Sequence, residues 1–230
     1  LLYRKKGNAW IAKEGVEANY TADPAFPYFI SFPRTGSHHV KLFLELYFSR
    51  PLLNTTFFFP EKTDCLLRHG HDIVCTLKRD VTIYLYRNVV DTAFSYMNYH
   101  RSINVNRFNT EFGAATFKPY IVAVVEKYKK HLVHWKGITS HPINYDLFAK
   151  RDFGHSGLKA VIKLLGGTFD KEKAIVCLDR LTKERANILT KDVPAAKGRQ
   201  IVQNSEAYEE ARTRFRNEYG AFVQKVFASK

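Results

Sequence analysis

The chain has 230 residues, 45% of them hydrophobic and 25% charged, and carries 36 Lys and Arg against 22 Asp and Glu, a net charge of +14. This length buries a real core within one domain, and the composition is that of a globular protein, with no run of about twenty apolar residues that would span a bilayer. The positive excess suits anionic ligands in general and does not choose between a nucleotide, an acidic glycan, nucleic acid and a membrane surface.

Residues 1–25 are polar and mixed, with Trp10 and Ile11 as the side chains expected to dock this segment on the body. Phe29 to Phe32 is apolar enough for a strand covered on both faces, and Pro33 ends it because proline has no N–H for a ladder. The turn Arg34-Thr35-Gly36-Ser37-His38-His39 follows. Gly36 allows a backbone geometry that a Cβ resists, Ser37 is a candidate cap, and Val40, Phe43, Leu44 and Tyr47 recur at helical spacing. Such a strand–turn–helix aims backbone N–H groups and the positive end of a helix dipole at one spot, and Arg34, Ser37, His38 and His39 add donors there. The spot suits an anion, most simply a phosphate; an ordinary βα turn without a ligand is the plain alternative. The run G-x-x-x-x-G-K-[ST] of nucleoside-triphosphate enzymes is missing.

Arg50 to Lys62 reads as a loop carrying Phe57-Phe58-Phe59, and Cys65–Leu67 and Asp72–Thr76 as short strands around Arg68-His69-Gly70-His71. Val81 to Tyr86 is a strand rich in β-branched and aromatic residues, ended by Arg87-Asn88 and followed by a helix over about 89–99 with Asp91 in its first turn. Arg87 thus sits at a strand's carboxyl end, where ligands of open α/β sheets bind, and Ser95 can look back at it. Arg87 could instead pair with Asp91 and only fix the turn. Two such units, each with an arginine and a serine, suggest a ligand with two separate phosphates.

Residues 101–116 read as a loop, and a helix over about 118–135 places Ile121, Val124, Val125, Tyr128, Leu132 and Trp135 on one side. His141 to Tyr145 is the next strand, and helices are expected over 157–165, 170–179, 183–189 and 205–227, with a basic loop at 192–201. Strands alternating with helices predict an α/β fold: a single domain over 1–230 with a central parallel sheet flanked by helices and a P-loop-like nucleotide-binding core. Cys65, Cys75 and Cys177 have neither metal-ligand spacing nor an even disulfide framework. They read as reduced thiols, which favours a cytoplasmic setting; a lumenal one stays open if an N-terminal anchor has been trimmed, since the chain starts at Leu1.

The two turns resemble motifs of sulfotransferases that use 3′-phosphoadenosine 5′-phosphosulfate (PAPS). Phe32-Pro33-Arg34-Thr35-Gly36-Ser37-His38-His39 is similar to Y-P-K-S-G-T-T-W, and Arg87-Asn88-Val89-Val90-Asp91-Thr92-Ala93-Phe94-Ser95-Tyr96 to R-N-P-K-D-x-x-x-S-Y. Asn144-Tyr145-Asp146-Leu147 looks like Y-E-D-L, Leu164-Leu165-Gly166 like a helix-closing L-G, and Lys197-Gly198-Arg199 like a late R-K-G. The resemblance implies that Arg34 stands where a lysine contacts the transferred sulfuryl group. It puts Ser37 and His38 on the 5′-phosphate, within a loop from Arg34 to His39 that includes Thr35 and Gly36. Arg87 and Ser95 take the 3′-phosphate, with Lys197, Gly198 and Arg199 closing over it. Arg34 keeps the charge of the lysine on a wider fork. His38-His39 in place of Thr-Trp removes the aromatic that would stack on adenine.

By the same resemblance Leu67-Arg68-His69 occupies the place of the strand that ends in the catalytic base, so His69 is the expected base and His71 the runner-up. His100, His131, His134, His141 and His155 read as surface or packing residues. The implied reaction is in-line sulfuryl transfer from PAPS to a hydroxyl or amine of a small molecule or glycan, releasing adenosine 3′,5′-bisphosphate without a metal. Acceptor-binding residues are sought in the loops at 57–59 and 101–116, and oligomeric state is not legible. Nucleic acid is not an expected partner, although a polyanion-binding module is the rival class and a kinase-like phosphotransferase a weaker one. Steep salt dependence would mark the former and magnesium-dependent ATP turnover the latter.

Overall fold

The computed structural model describes residues 3–6, 9–12, 25–53, 58–59, 65–75, 80–103, 114–139, 141–189 and 206–219, with the side chains at 3–12, 100–103, 114–118, 185–189 and 206–208 left aside. Strands β1 (Tyr3–Lys6) and β2 (Ala9–Ala12) pair antiparallel, with Lys5 opposite Trp10. The docking expected of Trp10 and Ile11 lies outside the described side chains.

The body is an α/β domain built on a four-stranded, fully parallel sheet in the order β4–β3–β5–β6, from β3 (Tyr28–Ser31), β4 (Arg68–Gly70), β5 (Thr82–Tyr86) and β6 (His141–Asn144). Helix α1 (Ser37–Phe48) carries the chain from β3 to β4, and α2 (Val89–Ile103) and α3 (Ala114–Ile138) lie between β5 and β6. Then come α4 (Tyr145–Ala149), α5 (Leu158–Leu164), α6 (Lys171–Leu189) and α7 (Glu206–Tyr219).

Alternate strand residues feed two cores, as the two-residue period of a strand requires. Phe29, Ile83, Leu85 and Ile143 pack with Val40, Phe43, Leu44 and Tyr47 of α1 and with α5 and α6. Tyr28, Ile30 and Tyr84 pack on the other face with α2, α3 and Phe215 of α7. The stripe expected in α3, Ile121 through Trp135, is buried throughout.

Several boundaries differ from the sequence expectation. The strand before β5 is Arg68–Gly70, not Cys65–Leu67, nor the described part, Asp72–Cys75, of the strand expected over Asp72–Thr76. Cys65–Leu67 is buried but bonds instead to residues 51–53, through Leu66 N–H to Pro51 O and Leu53 N–H to Leu67 O. Asp72 and Cys75 adopt left-handed φ of 35° and 58°, which makes a turn of that stretch. Tertiary pairing here overrides local strand preference. Residues 170–189 contain one helix rather than two, because Ala174, Cys177, Leu178 and Leu181 continue one buried stripe and no breaker interrupts it. Helix α2 runs on to Ile103 and α3 starts at Ala114, so 101–103 and 114–116 are helical where a loop was expected. Tyr145 opens α4, with Asn144 Oδ1 accepting from the N–H groups of Asp146 and Leu147.

Chain direction fixes where a ligand would sit. From β3 the chain leaves to β4 on one side, and from β5 it leaves to β6 on the other. The crevice between the carboxyl ends of β3 and β5 is therefore a topological switch point, the place where parallel sheets bind ligands. Among the described residues, no helix is long and apolar enough to cross a membrane.

Candidate functional site

Because every strand of the sheet runs the same way, all four carboxyl ends open on one edge. In spatial order they deliver His71 after β4, Ser31 and the turn with Arg34 after β3, Arg87 after β5, and Tyr145 with Asp146 after β6.

The first turn is tightly determined. Thr35 is buried and both its N–H (3.3 Å) and its hydroxyl (2.8 Å) donate to Phe32 O. Arg34 has φ 72° and Gly36 φ 96°. Gly36 itself is the N-cap of α1, and no side chain caps the helix; Ser37 is its first residue, which corrects the capping expected of it. His39 N–H donates to Gly36 O at 3.0 Å, and the start of the first turn of α1, with the positive end of the dipole, points at the switch crevice.

The second turn is held from three sides. Asn88 Oδ1 accepts from Val90 N–H (2.9 Å) and Asp91 N–H (3.2 Å), and Asn88 N–H donates to Asp146 Oδ2 (2.9 Å). Tyr128, from α3, accepts from Arg87 N–H at 2.9 Å and donates to Arg87 O at 3.1 Å. The Arg87 guanidinium lies 5.1 Å over the Tyr145 ring, with Nε 3.6 Å from Asp146 Oδ1. That Nε is buried without a hydrogen-bond partner. The expected alternative partner, Asp91, is taken by the C-terminal helix: its Oδ1 accepts from Arg212 Nη2 and Arg216 Nη2, each at 2.8 Å.

The two turns meet. Arg34 Nε–H donates to Ser95 Oγ at 3.4 Å, and the Arg34 guanidinium lies 4.9 Å over the Tyr99 ring. Ser95 therefore faces Arg34, while Arg87 faces Tyr145 and Asp146. Tyr145 is the second bridge: its ring covers Gly36, and its hydroxyl lies 3.4 Å from His39 Nδ1. His39, half-buried, packs edge-on against Tyr145 and Phe148.

On the β4 side lies a polar cluster. Nε2 of His69 is 2.9 Å from Ser31 Oγ, and its Nδ1 is 3.4 Å from Lys41 Nζ. His71 Nδ1–H donates to the carbonyl of Ser31 at 2.7 Å and lies 3.4 Å from Ser31 Oγ. A carbonyl only accepts, so Nδ1 of His71 carries the proton and Nε2 of the neutral ring is a lone pair. From the opposite face His131 Nε2–H donates to His71 O at 2.8 Å, while its Nδ1 accepts from the Tyr84 hydroxyl at 2.8 Å.

Electrostatics report the same convergence. The pKa of His38 is lowered to about 4, first by burial and then by the charges of Lys41, Arg34 and His71. Burial and then Lys41 push His69 well below the usual imidazole range. His71 is lowered by burial, partly offset by its bond to Ser31, with Lys41 lowering it further. Lys41, only 3% exposed, is itself lowered to about 8 by burial, against the opposing charge of Glu45. Neutral imidazoles thus surround a spot already made positive by Arg34 and Lys41.

Lys41 and Ser31 are residues of the candidate site that motif reading does not single out, and Tyr145 enters it only within the Asn144–Leu147 match, with no role assigned. Lys41 stands one turn after Ser37 on α1, a spacing that would have pointed it back to the strand ends. Lys197, Gly198 and Arg199 lie outside the described residues. Among the described residues no three His, Cys, Asp or Glu converge as metal ligands.

No family model and no curated protein matches this sequence. Among solved structures the chain is similar to mouse sulfotransferase SULT7A1 complexed with PAP, at 17% identity and a TM-score of 0.44 over 79% of this chain and 74% of that one.

Proposed function

We propose that the protein is a sulfotransferase that binds PAPS across the β3–β5 crevice and transfers its sulfuryl group to a hydroxyl or amine. The observation that carries this reading is the meeting of the two motif turns, Arg34 on Ser95, at the sheet's switch point. The donor set fits a doubly phosphorylated nucleotide: the first turn of α1 with Arg34 on one side, and Arg87, whose buried Nε has no hydrogen-bond partner, on the other. Tyr145, between Gly36 and Arg87, offers the aromatic surface missing from the first motif.

When bound, PAPS supplies a sulfuryl group whose bridging oxygen departs with the 5′-phosphate. The protein's part is positioning and charge stabilisation, as in phosphoryl transfer. Arg34 neutralises the charge that develops on the leaving oxygen, an effect whose loss costs on the order of 100-fold or more in rate. Arg87 holds the far phosphate. The acceptor's proton goes to a histidine as its oxygen bonds to sulfur. Both ring nitrogens of His69, the base implied by the resemblance, are engaged by Ser31 and Lys41. His71 is bonded through Nδ1 only, which favours its Nε2 as the base. His69 then stands behind it.

The test has two arms. Adenosine 3′,5′-bisphosphate should raise the melting temperature where ATP does not, and labelled PAPS with a panel of acceptors should give transfer that is lost in Arg34→Ala and His71→Ala. Stabilisation by ATP alone would overturn the cofactor class. Full activity in His71→Ala with loss in His69→Ala would return the base to His69.

A further inference from the structure

Beside the crevice a buried lysine stands in line with two histidines. Lys41 Nζ, His69 Nδ1, His69 Nε2, Ser31 Oγ and His71 Nδ1 form a continuous chain with steps of 3.4 Å, 2.9 Å and 3.4 Å between residues. We propose that Lys41 and His69 are positioning residues that hold Ser31 and, through it, the His71 ring in the one tautomer that leaves Nε2 open to the site. This rests on the reading of His71 as the base.

A lysine ammonium only donates, so Nδ1 of His69 accepts from it and the neutral ring carries its proton on Nε2. That Nε2–H then donates to Ser31 Oγ. Ser31, fully buried at the end of β3, presents its hydroxyl and its carbonyl together to His71 Nδ1. Because Nδ1–H of His71 is bound to the carbonyl, the alternative tautomer would set a lone pair against a lone pair. The backbone of His71 is clamped from the other face by His131. The base is thus located by side chains from α1, β3, β4 and α3.

The same geometry sets the titration of His71. The groups that face it are Lys41 and His38 from α1, His69 from β4, His131 from α3, and Asp72 beside it, with Tyr84 of β5 behind His131. Lys41 is the cation among them, and it lowers the proton affinity of both His69 and His71. Positioning and electrostatics therefore act in the same sense: both keep His71 neutral, with its lone pair available, as the pH falls.

The experiment is a nitrogen-15 NMR titration of the histidine side chains in the full chain, which needs no nucleotide. In the wild type His71 should be a single Nδ1–H tautomer and His69 a single Nε2–H tautomer. In Lys41→Met the His69 tautomers should mix and the His71 midpoint should rise; Lys41→Arg, which keeps a charged donor, should retain the wild-type pattern. Wild-type tautomers and midpoint in Lys41→Met would overturn the proposal. Should Lys41→Met not fold, His69→Gln and His69→Leu replace it. Gln can still donate to Ser31 and should leave His71 unchanged, whereas Leu should disturb it; an undisturbed His71 in His69→Leu would overturn the proposal equally. A transfer assay run in parallel separates the two readings: intact coupling without PAPS turnover refutes the enzyme and leaves the positioning device, and PAPS turnover without coupling does the reverse.

Discussion

A β-carbon placed on Gly36 would lie 2.1 Å from Cε2 of Tyr145. The ring at the carboxyl end of β6 therefore closes directly on the N-cap of α1, and the glycine is needed twice, for this contact and for its φ of 96°. Gly36→Ala would cost about 1–2 kcal/mol for the left-handed backbone and about as much again for displacing the ring. For a chain of this size that is a drop of about 4 °C or more in melting temperature. Adding Tyr145→Ala removes only the steric part, so Gly36→Ala should cost less in the Tyr145→Ala background than in the wild type. Wild-type melting of Gly36→Ala would refute the closure.

The two arginines are expected to act on binding separately. Arg87→Ala removes a guanidinium already oriented by Tyr145 and Asp146 and should weaken adenosine 3′,5′-bisphosphate on the order of 10- to 100-fold, the range for one charge-assisted hydrogen bond. Ser95→Ala should cost less, because the serine acts by steadying Arg34. Calorimetric titration of each variant with the bisphosphate checks both. Equal loss in Arg87→Ala and Ser95→Ala would argue against this division.

Stability should fall on mild acidification. Burial lowers His131 from the usual imidazole value of 6.5 to about 4, partly opposed by its bond to His71 O. Between those values the unfolded ring binds a proton that the folded ring refuses, so its contribution is full above pH 6.5 and lost as pH falls to about 4. At 1.36 kcal/mol per unit the loss is about 3 kcal/mol. Urea midpoints between pH 7.5 and 4.5 measure it. His131→Gln, which can still bond His71 O, should flatten the profile; an unchanged slope would assign the acid sensitivity elsewhere.

Asp91 should prove to be a structural anchor. Burial pushes its carboxyl up, but hydrogen bonds and charge from Arg212 and then Arg216 outweigh that and hold it below the usual carboxylate value. Asp91→Asn removes the charge that both guanidinium groups share; because these are partly exposed and Arg212 also has Glu209, the cost should be on the order of 1 kcal/mol. Hydrogen exchange in α7 should accelerate ahead of exchange in β3 and β5. Uniform acceleration across the domain would show that Asp91 supports more than the docking of α7.

Much of the site was legible because it is local. The apolar run into Pro33, the Gly36 turn and the helical stripe beginning at Val40 are neighbours in sequence, and steric rules for proline, glycine and helical period act within a few residues. The same holds for Tyr86-Arg87-Asn88. Misreadings fall where a residue's partner is distant. Cys65–Leu67 has strand-like composition, but its backbone partners are Pro51 and Leu53, and the ladder with β3 goes to Arg68–Gly70. Asp91, the alternative partner open to Arg87 in the sequence, instead binds Arg212 and Arg216, more than a hundred residues away.

The amino-acid order by itself determined the alternation of strands and helices, the parallel α/β class and the two arginine-bearing turns, since each depends on side-chain period and backbone sterics over one or two turns of chain. Which strand lies beside which, and hence that Arg34 meets Ser95, that Tyr145 closes over Gly36 and that Lys41 stands behind His69, was decided only by tertiary packing. Those contacts arise from burying both faces of one sheet, and which distant side chains that burial brings within hydrogen-bond reach is a property of the whole chain.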